Sequence, residues 1–262
     1  MKAEIVGLDG KSSGKVDIPE VFETAQRPDL IKRMFWIVRS HGTQPQGRDP
    51  MAGERTSAET HSPPTGTGRS RIPRVKGSQY SRAGMAGGVA SIVKGRLPHP
   101  PKSEKIIYQR ANRKERRLAT MSAIAYTADL DAVKARGHDV DKLSLPLVVS
   151  DEVETVAKTS ELVSFLEKVE LDMELKRVLG GVKRNTGKSR LRGRAYKSKV
   201  GPLIVVTNDR GVGKASGGIP GLDVVNVQSL NVLDLAPGGV PGRLTLWTES
   251  AVGTLEAAGA RP

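Results

Sequence analysis

At 262 residues, with 42 Lys and Arg against 28 Asp and Glu, the chain carries a formal charge of +14 and a pI near 10.1. That length suffices for one sizeable core, and so strong a basic excess favours nucleic acid over acidic metabolites or a membrane surface. The absence of Cys excludes disulfides, thiolate zinc sites and a catalytic Cys, and an aromatic content of 3% favours phosphate contact over base stacking.

No apolar run approaches the roughly eighteen residues of a membrane span, and the N-terminus lacks the apolar run and small-residue cleavage site of a signal peptide. A soluble, intracellular protein is expected. Lys2 to Leu8 alternates apolar and polar residues as a short strand, Asp9-Gly10 is a turn signal, and Lys15 to Ile18 is the expected partner strand. Pro19 begins a helical pattern with Val21, Phe22 and Ala25. Pro28 restarts it at an N1-like position, with Leu30, Ile31, Met34, Phe35 and Val38 on one face. Ser40-His41-Gly42 ends it.

Arg39 to Lys102 then departs from any core-forming pattern. The segment holds ten Gly, eight Pro and one ring beyond its histidines, Tyr80. It is expected to be an extended loop, far longer than the dozen or so residues common for connections in compact domains, and so either functional or disordered until a partner orders it. Residues 42–59 mix charges, whereas Thr60 to Ser103 contains no Asp or Glu but carries Arg69, Arg71, Arg74, Lys76, Arg82, Lys94, Arg96 and Lys102. Gly66-Thr67-Gly68-Arg69-Ser70-Arg71 reads as a tip, since glycines permit a tight reversal and close backbone approach. Closing so long an insertion costs only about 2 kcal/mol more than closing a five-residue connection.

Glu104 to Thr127 reads as one helix with an apolar and a basic face, its charge concentrated in Arg113-Lys114-Glu115-Arg116-Arg117. The pattern then turns α/β. Leu145 to Val149, Leu203 to Thr207, Val224 to Val227 and Leu244 to Trp247 are strand candidates; Ser160 to Val169, Leu171 to Leu179, Ser229 to Leu235 and a segment opened by Thr248-Glu249 are helix candidates. The expected fold class is α/β, a mainly parallel sheet covered by helices with a long extended loop inserted. Residues 1–38 plus 103–262 would form the body and 39–102 the loop.

Between Leu175 and Asn208 lies a second acid-free stretch with ten cations: Lys176, Arg177, Lys183, Arg184, Lys188, Arg190, Arg192, Arg194, Lys197 and Lys199. A phosphate-binding patch is its leading reading, a basic linker the alternative. Enzyme motifs fail. Gly187-Lys188-Ser189 resembles the end of a P-loop, but its opening glycine is replaced by Val182 and a helix precedes it. Gly211-Val212-Gly213-Lys214 is followed by Ala215, with Asn208 at the opening position. His41, His61, His99 and His138 have no metal-ligand spacing. No catalytic residue, metal or cofactor is expected.

Further motifs run in order along nearly the whole chain: Pro98-His99-Pro100-Pro101-Lys102, Asn112-Arg113-Lys114-Glu115-Arg116-Arg117-Leu118-Ala119, Gly201-Pro202-Leu203-Ile204-Val205, Leu235-Ala236-Pro237-Gly238-Gly239 with Gly242-Arg243, and Trp247-Thr248-Glu249-Ser250-Ala251. Together they resemble the archaeal and eukaryotic type of the universal large-subunit ribosomal protein four family. The end at Pro262, without the long basic extension of eukaryotic members, makes an archaeal source the expectation.

This resemblance implies a non-catalytic constituent of the cytoplasmic large ribosomal subunit. Its body would bind large-subunit rRNA and aid assembly, and its loop would thread the RNA to the wall of the peptide exit tunnel, beside neighbouring ribosomal proteins and the nascent peptide. The expected rRNA-binding cations are Arg48, Arg55, Arg69, Arg71, Arg74, Lys76, Arg82, Lys94, Arg96 and Lys102 of the loop, Arg113, Lys114, Arg116 and Arg117 of the helix, and Lys183, Arg184, Lys188, Arg190, Arg192, Arg194 and Lys197 of the second basic stretch. Gly66 to Arg71 would be the tunnel tip. A messenger-binding regulator and a nucleotide-dependent enzyme are the rival classes.

Overall fold

A computed structural model describes residues 2–60, 65–140 and 143–259. His61 lies outside them. The residues group into two compact units: the body, up to Ser40 and again from Gln109, and His41–Tyr108.

In chain order the elements are β1 (Lys2–Val6), β2 (Ser12–Asp17), α1 (Pro28–His41), β3 (Ala58–Glu59), β4 (Arg74–Val75), α2 (Arg113–Ala125), α3 (Leu130–Arg136) and β5 (Leu147–Val149). There follow α4 (Thr159–Lys168), α5 (Asp172–Leu179), β6 (Lys183–Arg184), α6 (Gly187–Leu191), β7 (Tyr196–Lys197) and β8 (Leu203–Val206). Last come α7 (Val212–Ser216), β9 (Asp223–Asn226), α8 (Val232–Leu235), β10 (Thr245–Thr248) and α9 (Glu249–Gly259).

The body's sheet runs β2-β1-β5-β10-β8-β9, antiparallel only between β1 and β2. Strand periodicity of two explains the layers. Leu203 and Val205 of β8, Val148 of β5 and Trp247 of β10 join one apolar cluster with Ile31, Met34 and Phe35 of α1, Ala119 and Ala123 of α2 and Val252 of α9. Their alternates Ile204, Val206, Leu147, Val149 and Leu246 join a second cluster with Leu162 and Phe165 of α4, Leu175 of α5 and Val212 of α7. Phe22 meets Trp247 edge to face, with ring centroids 5.5 Å apart. The α/β body with a mainly parallel sheet is therefore as the apolar runs imply.

Two expectations need correction. The helix expected from Glu104 begins at Arg113: Asn112 adopts an extended backbone (ψ 143°), and Ile106, which mimics an apolar helix position, is 85% exposed. With no core to bury Ile106, its spacing has no consequence. The Pro19 segment closes after one 3-10 turn, Glu20–Glu23, which suffices to bury Val21 and Phe22. The second basic stretch, to which the sequence pattern assigned no element, is a hairpin, with β6 antiparallel to β7 across α6. The sequence reading also lacked α3, although Asp129 caps it by accepting from the N–H groups of Asp131 and Ala132, and Gly137 ends it at φ 96°.

One buried cation locks the far end of the sheet. Arg243, 2% exposed, donates to the carbonyls of Gly201 (2.9 Å), Asp234 (2.9 Å) and Pro202 (3.3 Å) and pairs with the Asp223 carboxylate. The segment before β8, the helix α8 and the strand β9 are thereby held to the start of β10.

Candidate nucleic-acid interface

The unit His41–Tyr108 is not structureless. At its ends the rings of His41 and Tyr108 stack with centroids 4.0 Å apart. The outgoing and returning limbs then run side by side: Arg48 N–H donates to the Pro101 carbonyl (3.0 Å), and β3 pairs with β4. Gly53, at φ 86°, approaches the Gly95–Arg96 backbone so closely that a Cβ there would lie 2.6 Å from Arg96 N. Around the buried Val75 the chain doubles back, with Val75 N–H donating to Met85 O (2.8 Å) and Gly87 N–H to Pro73 O (3.0 Å). The expectation of a loop without strand pairing is corrected to this extent. Composition masked it because β3 and β4 are two residues each.

The acidic residues of the first limb are all used inside this unit. Asp49 receives Arg55 (3.0 Å), Glu59 pairs with Lys76, and Glu54 lies 3.8 Å from Arg96. These pairs are exposed, so each stabilises by well under about 1 kcal/mol and yields readily to a phosphate. Arg74 is exposed and donates to the Gly84 carbonyl (3.1 Å). Arg48, Arg71, Arg82, Lys94 and Lys102 are exposed without a carboxylate among the described residues. At the tip, Gly66 (φ 84°) and Gly68 (φ 69°) turn the chain, Thr60 donates its hydroxyl to Ser70 O (2.9 Å), and Thr67, Arg69 and Arg71 are exposed.

The body supplies two further basic elements. On α2, Arg113, Lys114 and Arg116 are exposed and Arg117 is half-buried, while the intervening Glu115 is drawn to Arg33 (2.9 Å). The hairpin places Lys183 opposite Lys197 and Arg184 opposite Tyr196. Like charges directly opposite destabilise a ladder, and a polyanion laid across them removes that cost. Lys183, Arg184, Lys188, Arg190, Arg192, Arg194, Lys197 and Lys199 are all exposed with no carboxylate partner among the described residues. The fold of the hairpin comes from its backbone: Asn185 N–H donates to Ala195 O (2.9 Å), its side chain to Arg194 O (2.9 Å), and Arg194 N–H to Ser189 O (3.0 Å).

Lys176 and Arg177, grouped with this patch by sequence, belong to the scaffold. Lys176 reaches Asp172 (3.1 Å) one turn back, and Arg177 makes two bonds to the buried Glu174 (2.6 and 2.7 Å) and a third to Val200 O (2.9 Å). His138 Nδ1 lies 2.6 Å from the same carboxylate. Burial alone would push Glu174 up; hydrogen bonds from Arg177 and then His138 outweigh it and hold the carboxyl at about 2. The i,i+3 spacing of Glu174 and Arg177 was the available signal. Tyr196 and Leu191, 66% and 86% exposed among the hairpin's cations, were also missed.

The Gly211-Val212-Gly213-Lys214 turn follows a parallel strand, where α/β sheets bind ligands. Its N–H groups are occupied by the protein's own carboxylate: Asp209 Oδ1 accepts from Gly211 (3.0 Å) and Gly213 (3.1 Å). The neighbouring strand ends are similarly occupied by the buried Glu154, which accepts from Thr207 N–H (2.8 Å) and the Thr248 hydroxyl (3.3 Å). Among the described residues no three His, Asp or Glu side chains are grouped to hold a metal, and no helix is long and apolar enough to cross a membrane.

Residues 16–258 match the model of the ribosomal protein L4/L1 family. The chain is similar to the large ribosomal subunit protein uL4 of Methanocaldococcus jannaschii, 43% identical with 98% of each chain covered. It is similar too to uL4 of Methanococcus aeolicus, 44% identical over 96% of this chain and 97% of the relative, and to uL4 of Saccharolobus islandicus, 42% identical over 96% and 92%.

Proposed function

Because this chain belongs to the ribosomal protein L4/L1 family, we propose that it is a structural constituent of the large ribosomal subunit that binds rRNA through three basic elements: the His41–Tyr108 unit, the first turns of α2 and the β6–β7 hairpin. Its place is then the cytoplasmic ribosome, and its role is non-catalytic. The observation that carries this reading is the hairpin, seven exposed cations on an ordered backbone, with Lys199 just beyond it, and no carboxylate partner for any of them among the described residues. Phosphates supply the missing charge, and the counterions they release supply the free energy.

The loop's part is the one that the family resemblance implies, and its composition is compatible with it. Exposed Arg and Gly on two closely paired limbs reach farther into packed RNA than any folded domain, and the tip Gly66 to Arg71 is the portion that helps form the exit-tunnel wall beside the nascent peptide. Neighbouring large-subunit proteins complete its surroundings. Sedimentation of a native cell extract at moderate and at high salt tests the reading. The protein is expected to travel with the large subunit and to resist the moderate wash; recovery as free protein, or with small RNAs, would overturn it in favour of messenger binding.

A further inference from the structure

The cations of α2 border an apolar hollow on the body. A groove of about 330 Å³ opens on the body beside α2, with Met121 and Ile124 of that helix, Val227 and Leu230 from the turn after β9, and Leu255 of α9 in its lining. Arg113, Arg116 and Arg117 complete the wall. Their i, i+3, i+4 spacing puts all three on one helical face. Among the described residues no carboxylate lines the groove, Glu115 is held by Arg33, and Arg113 and Arg116 stand exposed at its edge with no carboxylate partner.

An occupant must therefore bring an apolar face and negative charge together. A nucleotide does both: its base offers a flat π surface and the phosphates on either side offer the charge. Arginine suits this pairing better than lysine, because its planar fork binds phosphate in two-point fashion and stacks on rings. The volume lies at the small end of ligand cavities, about 300 to 1,000 Å³, which accommodates one nucleotide and not a peptide helix of several turns.

We infer that the groove receives a single unstacked nucleotide of large-subunit rRNA, its base on Met121, Ile124 and Leu230 and its flanking phosphates on Arg113 and Arg116. This rests on the rRNA-binding role proposed above and adds selectivity to it. Phosphate contacts from loop and hairpin position the protein without reading sequence, whereas an extruded base is what proteins read in RNA. The groove fixes the register in which the remaining cations meet the RNA.

The test uses the full chain with a photo-crosslinking benzoylphenylalanine at half-buried Thr120, at Leu230, or, as a reference on the hairpin, at exposed Leu191. Each variant is assembled into large subunits in cells, irradiated, and its crosslinks mapped by reverse transcription. Positions 120 and 230 are expected to mark the same unpaired nucleotide, and 191 another rRNA site. Crosslinks from 120 and 230 to protein, to distant nucleotides or to nothing, with 191 still marking rRNA, overturn the groove assignment and leave the rRNA role standing. Loss of rRNA crosslinks at all three overturns that role as well. In an RNA fragment spanning the mapped site, an abasic residue at that nucleotide should weaken binding about tenfold, while abasic residues on either side should not; equal losses at all three positions would rule out base insertion.

Discussion

Asp209 Oδ1 accepts the backbone N–H of Gly213 at 3.1 Å, so the turn that most resembles a phosphate cradle is closed by the residue five before its lysine. Millimolar ATP with magnesium is accordingly expected to leave the thermal midpoint unchanged. Asp209→Ala should cost about 1 kcal/mol, as for loss of a helix cap, without conferring nucleotide binding. A saturable upward shift of the midpoint with ATP would revive the nucleotide-dependent rival.

Glu174, held at about 2 in the folded protein against an ordinary value of 4.5, contributes stability that is fully present above pH 4.5 and is lost as pH falls toward 2. The shift corresponds to about 3 kcal/mol. Glu174→Gln should flatten the stability curve across that window in urea titrations. Arg177→Met should destabilise at pH 7 by about 3 kcal/mol, because it leaves a buried carboxylate short of its main partner. An unchanged acid limb in Glu174→Gln would show that other groups govern it.

Arg243→Met should lower body stability by about 3 kcal/mol, since the carbonyls of Gly201, Pro202 and Asp234 lose their donor together. Arg243→Lys should recover only part, having one nitrogen for four acceptors. Stability within 0.5 kcal/mol of wild type, about the range of ordinary surface changes, would contradict the keystone role.

At the loop tip the expected effect is functional. Arg69→Ala with Arg71→Ala should leave the unfolding midpoint of the free protein unaltered, both residues being exposed, yet change nascent-chain stalling or the sensitivity of translation to tunnel-binding drugs. Parallel loss of stability and subunit assembly would make these arginines structural. Mild proteolysis of the free protein should cut first within His41–Tyr108 and spare the body.

Binding of the free protein to rRNA should weaken steeply with salt. If about half of the loop and hairpin cations meet phosphates, log K against log salt has a slope on the order of −6 to −8. Arg190→Ala with Arg194→Ala should reduce its magnitude by roughly 1.5. An unchanged slope would remove the hairpin from the interface.

Much of the architecture is local and was readable. The β-branched runs at Leu147 to Val149 and Leu203 to Val206 are buried on both faces and call for a parallel sheet under helices, and Pro28 with Ile31, Met34 and Phe35 marks α1. Charge is local as well, so both basic stretches were visible as letters. Local pattern misled where burial was missing: Ile106 keeps helical spacing with nothing to pack on, and Lys183 paired with Lys197 looks like the opposite of a strand.

By itself, then, the sequence determined the α/β layering, the long basic insertion, the second cationic stretch and the family motifs, because each depends on periodicity or composition within a few dozen residues. The tertiary structure decided which cations are committed inward and which stay available. Arg177 and Arg243 satisfy buried acceptors, Arg55, Lys76 and Arg96 pair with carboxylates, and the hairpin's seven have no carboxylate partner among the described residues. It alone assembled the groove, whose lining comes from Val21, α2, the turn after β9 and Leu255. The partners of a side chain depend on which distant segments the core brings together, and no spacing along the chain carries that information.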